Sequence, residues 1–237
     1  MWQKRRGVTM IRAGISDMRR SILAAVGAGI LGVGIARRAS AGAYDDFFRA
    51  VKLDDAKTVA SLLARGLDPN LIEPERGETG LMIALRENST AVLDVLLQSK
   101  QIDFEVKAFN GDNALMIAAL KGNLRAVEGL IERGAEVNKP GWTPLHYAAF
   151  VGNNDIVKLL LDKSAYIDAE SPNKTTPIMM AARAGHILTV KLLLDEGADA
   201  SLKNDLGMSA IDFANKYEFK DIAEGLTFRL RKLGKLQ

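Results

Sequence analysis

The sequence predicts an all-α repeat fold, a solenoid of about six helix–turn–helix repeats. The first observation is a segment that recurs: residues 143–149 read TPLHYAA and residues 176–182 read TPIMMAA, 33 positions later. The second is that similar starts recur at intervals of 30 to 34 residues, at Asp45, Thr79, Asn113, Thr143, Thr176 and Ser209. A period of this length indicates stacked repeats, each of which buries its apolar face against its neighbours.

The first helix of each repeat is predicted to begin at this recurring position. A threonine-like side chain accepts hydrogen bonds from the free N–H groups at a helix start. Pro144 and Pro177 suit the first helical position, where the N–H has no partner within the helix. Paired alanines near the end of the helix allow close packing. The helix is predicted to end at a left-handed glycine, at Gly122, Gly152 and Gly185.

A second helix with a leucine-rich face follows in each repeat. The clearest examples of that face are Val127, Leu130 and Ile131; Val157, Leu160 and Leu161; and Val190, Leu193 and Leu194. In two repeats this helix is predicted to end at a Gly-Ala pair, Gly134-Ala135 and Gly197-Ala198, and a polar stretch leads to the next repeat.

These features closely resemble the ankyrin repeat, a helix–turn–helix with a projecting β-turn finger. Residues 141–173 and 174–206 match the family pattern nearly throughout. The repeats starting near Gly77 and Gly111 match it with changes in the Thr-Pro-Leu-His segment. The resemblance implies a protein-binding surface made of the finger tips and the inner, first helices.

The ends of the repeat domain are less regular. The first repeat, from Asp45, and the last, residues 207–230, are atypical, as expected where one face of a repeat meets water. We expect the ankyrin repeat domain to span residues 42–232 and a C-terminal tail to span residues 233–237. Only four residues separate Asn138 from Thr143, so the finger between the third and fourth inner helices is predicted to be shortened, leaving a notch beside Trp142.

Residues 1–41 are predicted to be a signal peptide. A basic start precedes an uncharged run of 16 residues, 21–36, and Ala39-Ser40-Ala41 gives a small-residue cleavage site. Cleavage is expected after Ala41, with a cut after Ala43 as an alternative. Export would place the mature protein in a bacterial periplasm or outside the cell.

Other interpretations of this segment stay open. Arg19-Arg20-Ser21 resembles the start of the twin-arginine export signal, and general secretion is the other route. An uncleaved segment would anchor the chain in a membrane, although its apolar run is shorter than the about 20 residues that cross a bilayer. Met10 and Met18 are alternative start positions.

Charge argues against nucleic acid as the partner. Residues 42–228 hold 20 basic and 28 acidic residues, a formal net charge of −8, although the whole chain is formally +3. A surface that follows phosphates needs concentrated positive charge. An acidic groove would instead suit a basic partner.

No catalytic, cofactor-binding or metal-binding site is expected. The chain has no cysteine, and its two histidines, His146 and His186, occupy positions that are structural in the ankyrin family. One histidine per repeat does not assemble the converging ligands that a metal needs. We therefore expect neither an enzyme nor a binder of a small-molecule substrate.

The resemblance places the partner surface on the finger tips and at the ends of the inner helices. The residues predicted to contact a partner are Phe109, Asp112, Leu120, Lys121, Trp142, Phe150, Val151, Lys174, Arg183, Lys216 and Tyr217. Five of them are expected to form one apolar patch near the middle: Phe109, Leu120, Trp142, Phe150 and Val151. In the alternative, Trp142 and Phe150 fold into the notch of the shortened finger and cover core.

The leading functional hypothesis is an exported, non-enzymatic module that holds a protein partner of unknown identity on its concave face. One alternative is an immunity or inhibitor protein that blocks a basic toxin or enzyme. Another is a membrane-tethered scaffold, which applies if the N-terminal segment is retained.

Overall fold

The computed structural model describes residues 33–235, with side chains from residue 42. Within this range there are twelve α-helices and no strand, and one isolated antiparallel bridge pairs Ile72 with Thr79. The predicted all-α repeat fold is confirmed. Residues 1–32 of the predicted signal peptide lie outside the described residues, as do residues 236–237 of the predicted tail.

The helices divide between two compact units. The first contains the chain up to Ile102 together with Ala108–Asn110, and the second contains Asp103–Lys107 and the chain from Gly111. The helices of the first unit are α1 (Val33–Lys52), α2 (Ala56–Ala64), α3 (Gly80–Glu87) and α4 (Thr90–Gln98). Those of the second are α5 (Ala114–Leu120), α6 (Leu124–Glu132), α7 (Pro144–Val151), α8 (Asn154–Asp162), α9 (Pro177–Ala184), α10 (Ile187–Asp195), α11 (Ala210–Lys216) and α12 (Lys220–Lys232).

The first unit is organised around the C-terminal half of α1. Phe47 is fully buried, and its ring lies so close to Gly80 that a Cβ there would come within 2.6 Å of it. Tyr44 extends this contact region, since its hydroxyl donates to the carbonyl oxygen of Ile72 at 2.7 Å. Helix α1 also runs without a break through the predicted cleavage site after Ala41.

In the second unit the inner helices α5, α7, α9 and α11 pack against one another in chain order, and each contacts its own outer helix. The predicted leucine face is buried at two of its three positions in each outer helix: Leu130, Leu160 and Leu193 are fully buried, and the valines three residues before them are also buried. The third positions, Ile131, Leu161 and Leu194, are half-buried. Gly152 and Gly185 are left-handed as predicted, with φ of 74° and 80°. At both positions an aromatic ring of the next repeat lies against the glycine, which excludes a side chain there.

Helix starts follow two patterns. Thr79, Asn113 and Ser209 accept a hydrogen bond from the backbone N–H three residues later, as predicted. In the two Thr-Pro repeats the threonine side chain has a different environment. The hydroxyl of Thr143 lies 2.9 Å from Nδ1 of His146, whereas the buried hydroxyl of Thr176 has no hydrogen-bond partner. The difference arises because Met179 occupies the place of His146 in the next repeat, and its sulfur accepts only weakly, from the Thr176 N–H at 3.4 Å.

Met179→His is therefore expected to stabilise the protein. Nδ1 of the new imidazole would come within hydrogen-bond distance of the Thr176 hydroxyl, as Nδ1 of His146 lies 2.9 Å from the Thr143 hydroxyl. By the 33-residue period, its Nε2 would face the Met208 carbonyl, the equivalent of the Thr175 carbonyl that His146 contacts. Supplying a partner to a buried hydroxyl is worth about 1 kcal/mol. Urea unfolding of the variant and the wild type measures the gain. Met179→Leu is the control, because it keeps the volume and offers no acceptor. If the histidine variant is no more stable than the leucine variant, the missing partner of the Thr176 hydroxyl does not lower stability.

The fingers are short hydrogen-bonded turns. Ser171 N–H donates to the Thr175 carbonyl and Asn204 N–H donates to the Met208 carbonyl, both at 3.0 Å. These two fingers are joined by a bond from Asp205 N–H to the Asn173 carbonyl, also at 3.0 Å.

At the C-terminus α12 ends at Lys232, the predicted end of the repeat domain. The following Lys235 contacts the domain, since its Nζ lies 2.8 Å from a carboxylate oxygen of Asp199. Hydrogen bonds from Lys235 and Ser201 lower the pKa of Asp199 to about 2. In the part of the chain that the structure describes, no helix combines the length and the apolar character needed to cross a bilayer.

Candidate functional site

The inner helices of the second unit end in a series of equivalent side chains. We call this series the inner-helix row. It takes the last residue of each inner helix and one neighbour: Leu120 and Lys121 on α5, Phe150 and Val151 on α7, Arg183 and Ala184 on α9, and Lys216 and Tyr217 on α11. Consecutive inner helices are in contact, so the four pairs follow one another across the unit. All the predicted partner-binding residues on inner helices lie in this row.

The centre of the row is apolar. Phe150 is 36% exposed, Leu120 and Val151 are half-buried, and the backbone turns away directly after them at left-handed Gly122 and Gly152. Large apolar side chains that stay in contact with water at a helix end add little to the core. They do provide the rigid, easily desolvated surface that protein contacts use. Phe150 therefore fits the predicted role better than the alternative of filling the notch.

Cations lie on both sides of this apolar centre. Lys121, Arg183 and Lys216 are all exposed, and the Arg183 guanidinium lies 5.6 Å from the centre of the Tyr217 ring. Stacking on an aromatic ring orients the guanidinium while leaving its N–H groups available to donate to a ligand's carboxylate. Among the described residues, no carboxylate lies within 4 Å of the charged nitrogen atoms of these three side chains.

Trp142 does not stand free on its finger. Its ring is half-buried and packs edge-on against the ring of His146 at 5.2 Å, with Tyr147 also adjacent at 6.4 Å between ring centres. The alternative in which an aromatic covers core at the shortened finger thus describes Trp142 well, while Phe150 stays exposed. Trp142 is placed to protect His146 from water.

His146 links two repeats. Its Nδ1 accepts from the Thr143 N–H at 3.1 Å, so its proton is on Nε2, which donates to the Thr175 carbonyl at 2.8 Å. The imidazole is fully buried, and burial lowers the pKa of His146 to about 4 because the charged form is poorly solvated there. Its role is structural, as the sequence predicts.

This shift makes stability depend on pH. Because the folded-state pKa lies below the unfolded value near 6.5, protons bind preferentially to the unfolded chain, and stability is lost as the pH falls from about 6.5 toward about 4. Between pH 7 and pH 5 the wild type should lose roughly 2 kcal/mol through this group. Urea titrations at both pH values measure the loss. His146→Met, which copies the side chain of the next repeat, should be less stable at pH 7 but lose less on acidification. An equal loss of stability in both proteins would contradict His146 as the cause of the pH dependence.

Asp112 is a correction to the predicted partner surface. Its side chain is 7% exposed and accepts a hydrogen bond from the Tyr147 hydroxyl, 35 residues further along the chain. Burial, and then the neighbouring carboxylate, raises the pKa of Tyr147 above its ordinary value, so the phenol stays a donor. Asp112 therefore holds a finger to the next inner helix and does not face a partner. The sequence contains no signal for this pair, because only the stacking of repeats brings it together.

Phe109 belongs to the first compact unit and is not part of the inner-helix row. It is 61% exposed, its ring lies over left-handed Gly77, and its N–H donates to the Arg76 carbonyl at 2.8 Å. It lines an open cleft of about 440 Å³ together with Arg76, Glu78, Arg86 and Asn110. Glu78 is buried and accepts from Arg86 Nε at 3.3 Å, an ion pair that the sequence did not indicate.

The remaining finger residue, Lys174, is exposed but not isolated. Its Nζ lies 3.7 Å from a carboxylate oxygen of Asp205 on the next finger. A second finger lysine, Lys139, contacts Glu105 and also Glu136 at 3.4 Å. These two finger lysines thus each have a carboxylate within 4 Å, unlike the cations of the inner-helix row.

The second histidine, His186, packs against the glycine that ends the preceding inner helix. The ring of His186 lies against Gly152, where an added Cβ would come within 2.5 Å of it. Within residues 42–235, no cluster of three or more His, Cys, Asp or Glu side chains could hold a metal ion.

The comparison with known proteins agrees with this architecture. A family model described as ankyrin repeats (3 copies) matches residues 47–140, 103–171 and 145–230. The human protein "SH3 and multiple ankyrin repeat domains protein 2" is 33% identical over 175 residues, which cover 72% of this chain and 10% of that protein. The human "Transient receptor potential cation channel subfamily A member 1" is 31% identical over 140 residues, which cover 54% of this chain and 12% of that protein. The chain therefore spans about a tenth of the length of these two relatives.

Among solved structures, the ankyrin repeat domain of Bcl-3, a member of the IkappaB protein family, is similar with a TM-score of 0.63 and 27% sequence identity. The similarity covers 75% of this chain and 81% of that one. Ankyrin repeats are a non-catalytic fold that binds other proteins, and the exposed row has the make-up of such a surface. The family model, the relatives and the fold together show that the chain belongs to the ankyrin repeat family.

Proposed function

We propose that the protein is a non-enzymatic module that holds a protein partner on the inner-helix row of its second unit. The observation that carries the proposal is the exposed Phe150, which lies at the end of α7 beside half-buried Val151, with half-buried Leu120 at the end of the adjacent inner helix α5. Aromatic anchors of this kind, surrounded by contacts that exclude water, dominate the energy of protein interfaces. The flanking cations supply the polar rim.

Phe150→Ala tests the proposal. The variant should lose about tenfold or more in affinity for its partner, because truncating a central aromatic costs about 2 kcal/mol or more at an interface. Affinity capture from the native host, followed by quantification of each captured protein, measures the loss. Leu188→Ala is the matched control, since Leu188 is an exposed leucine on outer helix α10. The proposal fails if both variants capture the same proteins in the same amounts.

Trp142→Ala separates binding from folding. Because the Trp142 ring covers the ring of buried His146, its removal should lower the free energy of unfolding. Phe150→Ala should leave that free energy nearly unchanged. The reverse pattern, a stable Trp142 variant that no longer binds and an unstable Phe150 variant, would move the anchor of the site to the finger.

We further propose that the protein is exported to a periplasm or beyond, with residues 1–41 removed as a signal peptide. The basic start, the apolar run and the Ala-Ser-Ala site support this. The position of Tyr44 is also compatible with it, since a chain beginning at Gly42 keeps the Tyr44 contact with Ile72. If the segment is retained, the protein is a membrane-tethered scaffold presenting the same row.

The intact mass of the protein from its native host decides between these forms. The expected mature chain begins at Gly42 or Tyr44. Recovery of the full-length chain in the membrane fraction would support the anchored form. Replacing Arg19 and Arg20 with lysines should reduce export if the twin-arginine route is used, and unchanged export would favour general secretion.

A further inference from the structure

We infer that the partner segment bound by the inner-helix row is an acidic peptide segment with at least one large apolar side chain. This inference rests on the proposed function and adds the chemistry of the partner. It replaces the expectation of a basic partner, which followed from the net charge of the repeat domain and not from its surface.

The charge of the row differs in sign from that of the domain. Residues 42–228 carry a formal charge of −8, yet the eight positions of the row hold three cations and no carboxylate. The acids that make the domain negative lie elsewhere, for example Glu132, Asp155 and Asp195 on the outer helices. A partner that docks on the row meets positive charge at close range, where interactions are screened least.

The cations of the row also differ from the two finger lysines described above. Lys139 and Lys174 on the fingers are each within 4 Å of a carboxylate, so much of their charge is compensated inside the protein. Lys121, Arg183 and Lys216 have no such partner in the described part of the chain. The stacking of Arg183 on Tyr217 fixes the guanidinium without neutralising it. A carboxylate of the partner would therefore displace only water from these cations. It would not have to break an ion pair within the protein.

The spacing of the row defines the segment further. Packed helices lie about 8–10 Å apart, so Lys121 on α5 and Arg183 on α9, two helices away, are separated by about 20 Å. An extended chain covers this distance in about six residues at about 3.3–3.6 Å per residue. Phe150 on α7 lies between them. The row thus fits a segment in which two acidic residues, about six positions apart, flank an apolar residue.

Nucleic acid also carries negative charge, but the row suits it less well. Following a phosphate backbone takes a dense array of cations, and five of the eight residues of the row are aliphatic or aromatic: Leu120, Phe150, Val151, Ala184 and Tyr217. The surrounding domain is net negative and would repel a long polyanion. A short acidic segment with an apolar anchor uses both halves of the row.

The experiment is a selection from a phage-displayed library of random dodecapeptides on the protein as isolated from its host. Affinities of the selected peptides are then measured by fluorescence anisotropy at low and high salt. The expected peptides have a net negative charge and at least one aromatic or large aliphatic residue. Their affinity should fall about tenfold or more in the double variant R183E/K216E and should also fall as salt rises. The double variant K158E/K163E, with Lys158 on outer helix α8 and Lys163 directly after it, makes the same change in net charge and should alter affinity less than about twofold.

The other outcomes separate the two proposals. Selected peptides that are basic or neutral, yet need Phe150, would overturn the acidic segment while leaving the proposed binding surface in place. Peptides indifferent to both Phe150→Ala and R183E/K216E, or no enrichment at all, would overturn both. Single-stranded DNA that competes with every selected peptide at lower concentration would also overturn the acidic peptide as the occupant.

Discussion

Leu160→Ala is expected to lower the free energy of unfolding by about 2–5 kcal/mol, because it removes buried methyl groups and leaves a cavity between packed helices. Leu160 is fully buried in α8, which contacts its own inner helix α7 and both neighbouring outer helices, α6 and α10. The cavity would therefore border more than one repeat, and the surrounding side chains have little freedom to collapse into it. Urea titration followed by circular dichroism measures the change.

Lys163→Ala is the control for this experiment. Lys163 lies directly after α8, three residues from Leu160, and is exposed. Its removal should change stability by less than about 0.5 kcal/mol, as is usual for surface positions. Similar losses from both substitutions would mean that α8 is rotated about its axis relative to the structure described above.

Gly185→Ala is expected to destabilise by about 2–5 kcal/mol through two additive causes. The backbone at Gly185 has φ of 80°, in the left-handed region that residues with a Cβ enter only at a cost. In addition, the new Cβ would come within 2.4 Å of the Phe219 ring of the next repeat, so the ring and its helix must shift. The same urea titration applies.

Gly197→Ala isolates the first of these causes. Gly197 has φ of 99° but no atom lies within 4 Å of the position of an added Cβ, so only the backbone cost remains, about 1–2 kcal/mol. The difference between the two variants measures how tightly adjacent repeats are packed. Equal losses would show that Phe219 moves aside freely and that the close contact contributes nothing to stability.

The local charge of the inner-helix row and the net charge of the repeat domain predict different kinds of partner. The net charge of residues 42–228 is negative and predicts a basic partner, whereas the inner-helix row carries Lys121, Arg183 and Lys216 without opposing carboxylates. A partner meets the local surface first, because charges farther than about 8 Å are screened at physiological salt. The arrangement of charge on the repeats, and not its sum, therefore sets the partner that we propose.

The sequence by itself determined the repeat, its period and the register of its helices. These features have local causes: helix-capping residues at Thr79, Asn113 and Ser209, left-handed glycines at Gly152 and Gly185, and a leucine periodicity that marks the buried face. Each of these depends on residues within a few positions along the chain.

Only the tertiary structure decided the partners of individual side chains. Asp112 was expected at the surface but is buried and accepts a hydrogen bond from Tyr147. The sequence left open whether Trp142 and Phe150 face a partner or cover core, and the structure packs Trp142 on His146 while Phe150 stays exposed. The Thr176 hydroxyl is left without a hydrogen-bond partner. These outcomes depend on how closely neighbouring repeats approach and on which side chain the next repeat presents. Burial and hydrogen bonding are set by that approach, between residues that lie about 30 or more positions apart in the sequence. A local sequence pattern therefore fixes the position of a residue within its repeat but not the side chains that it contacts.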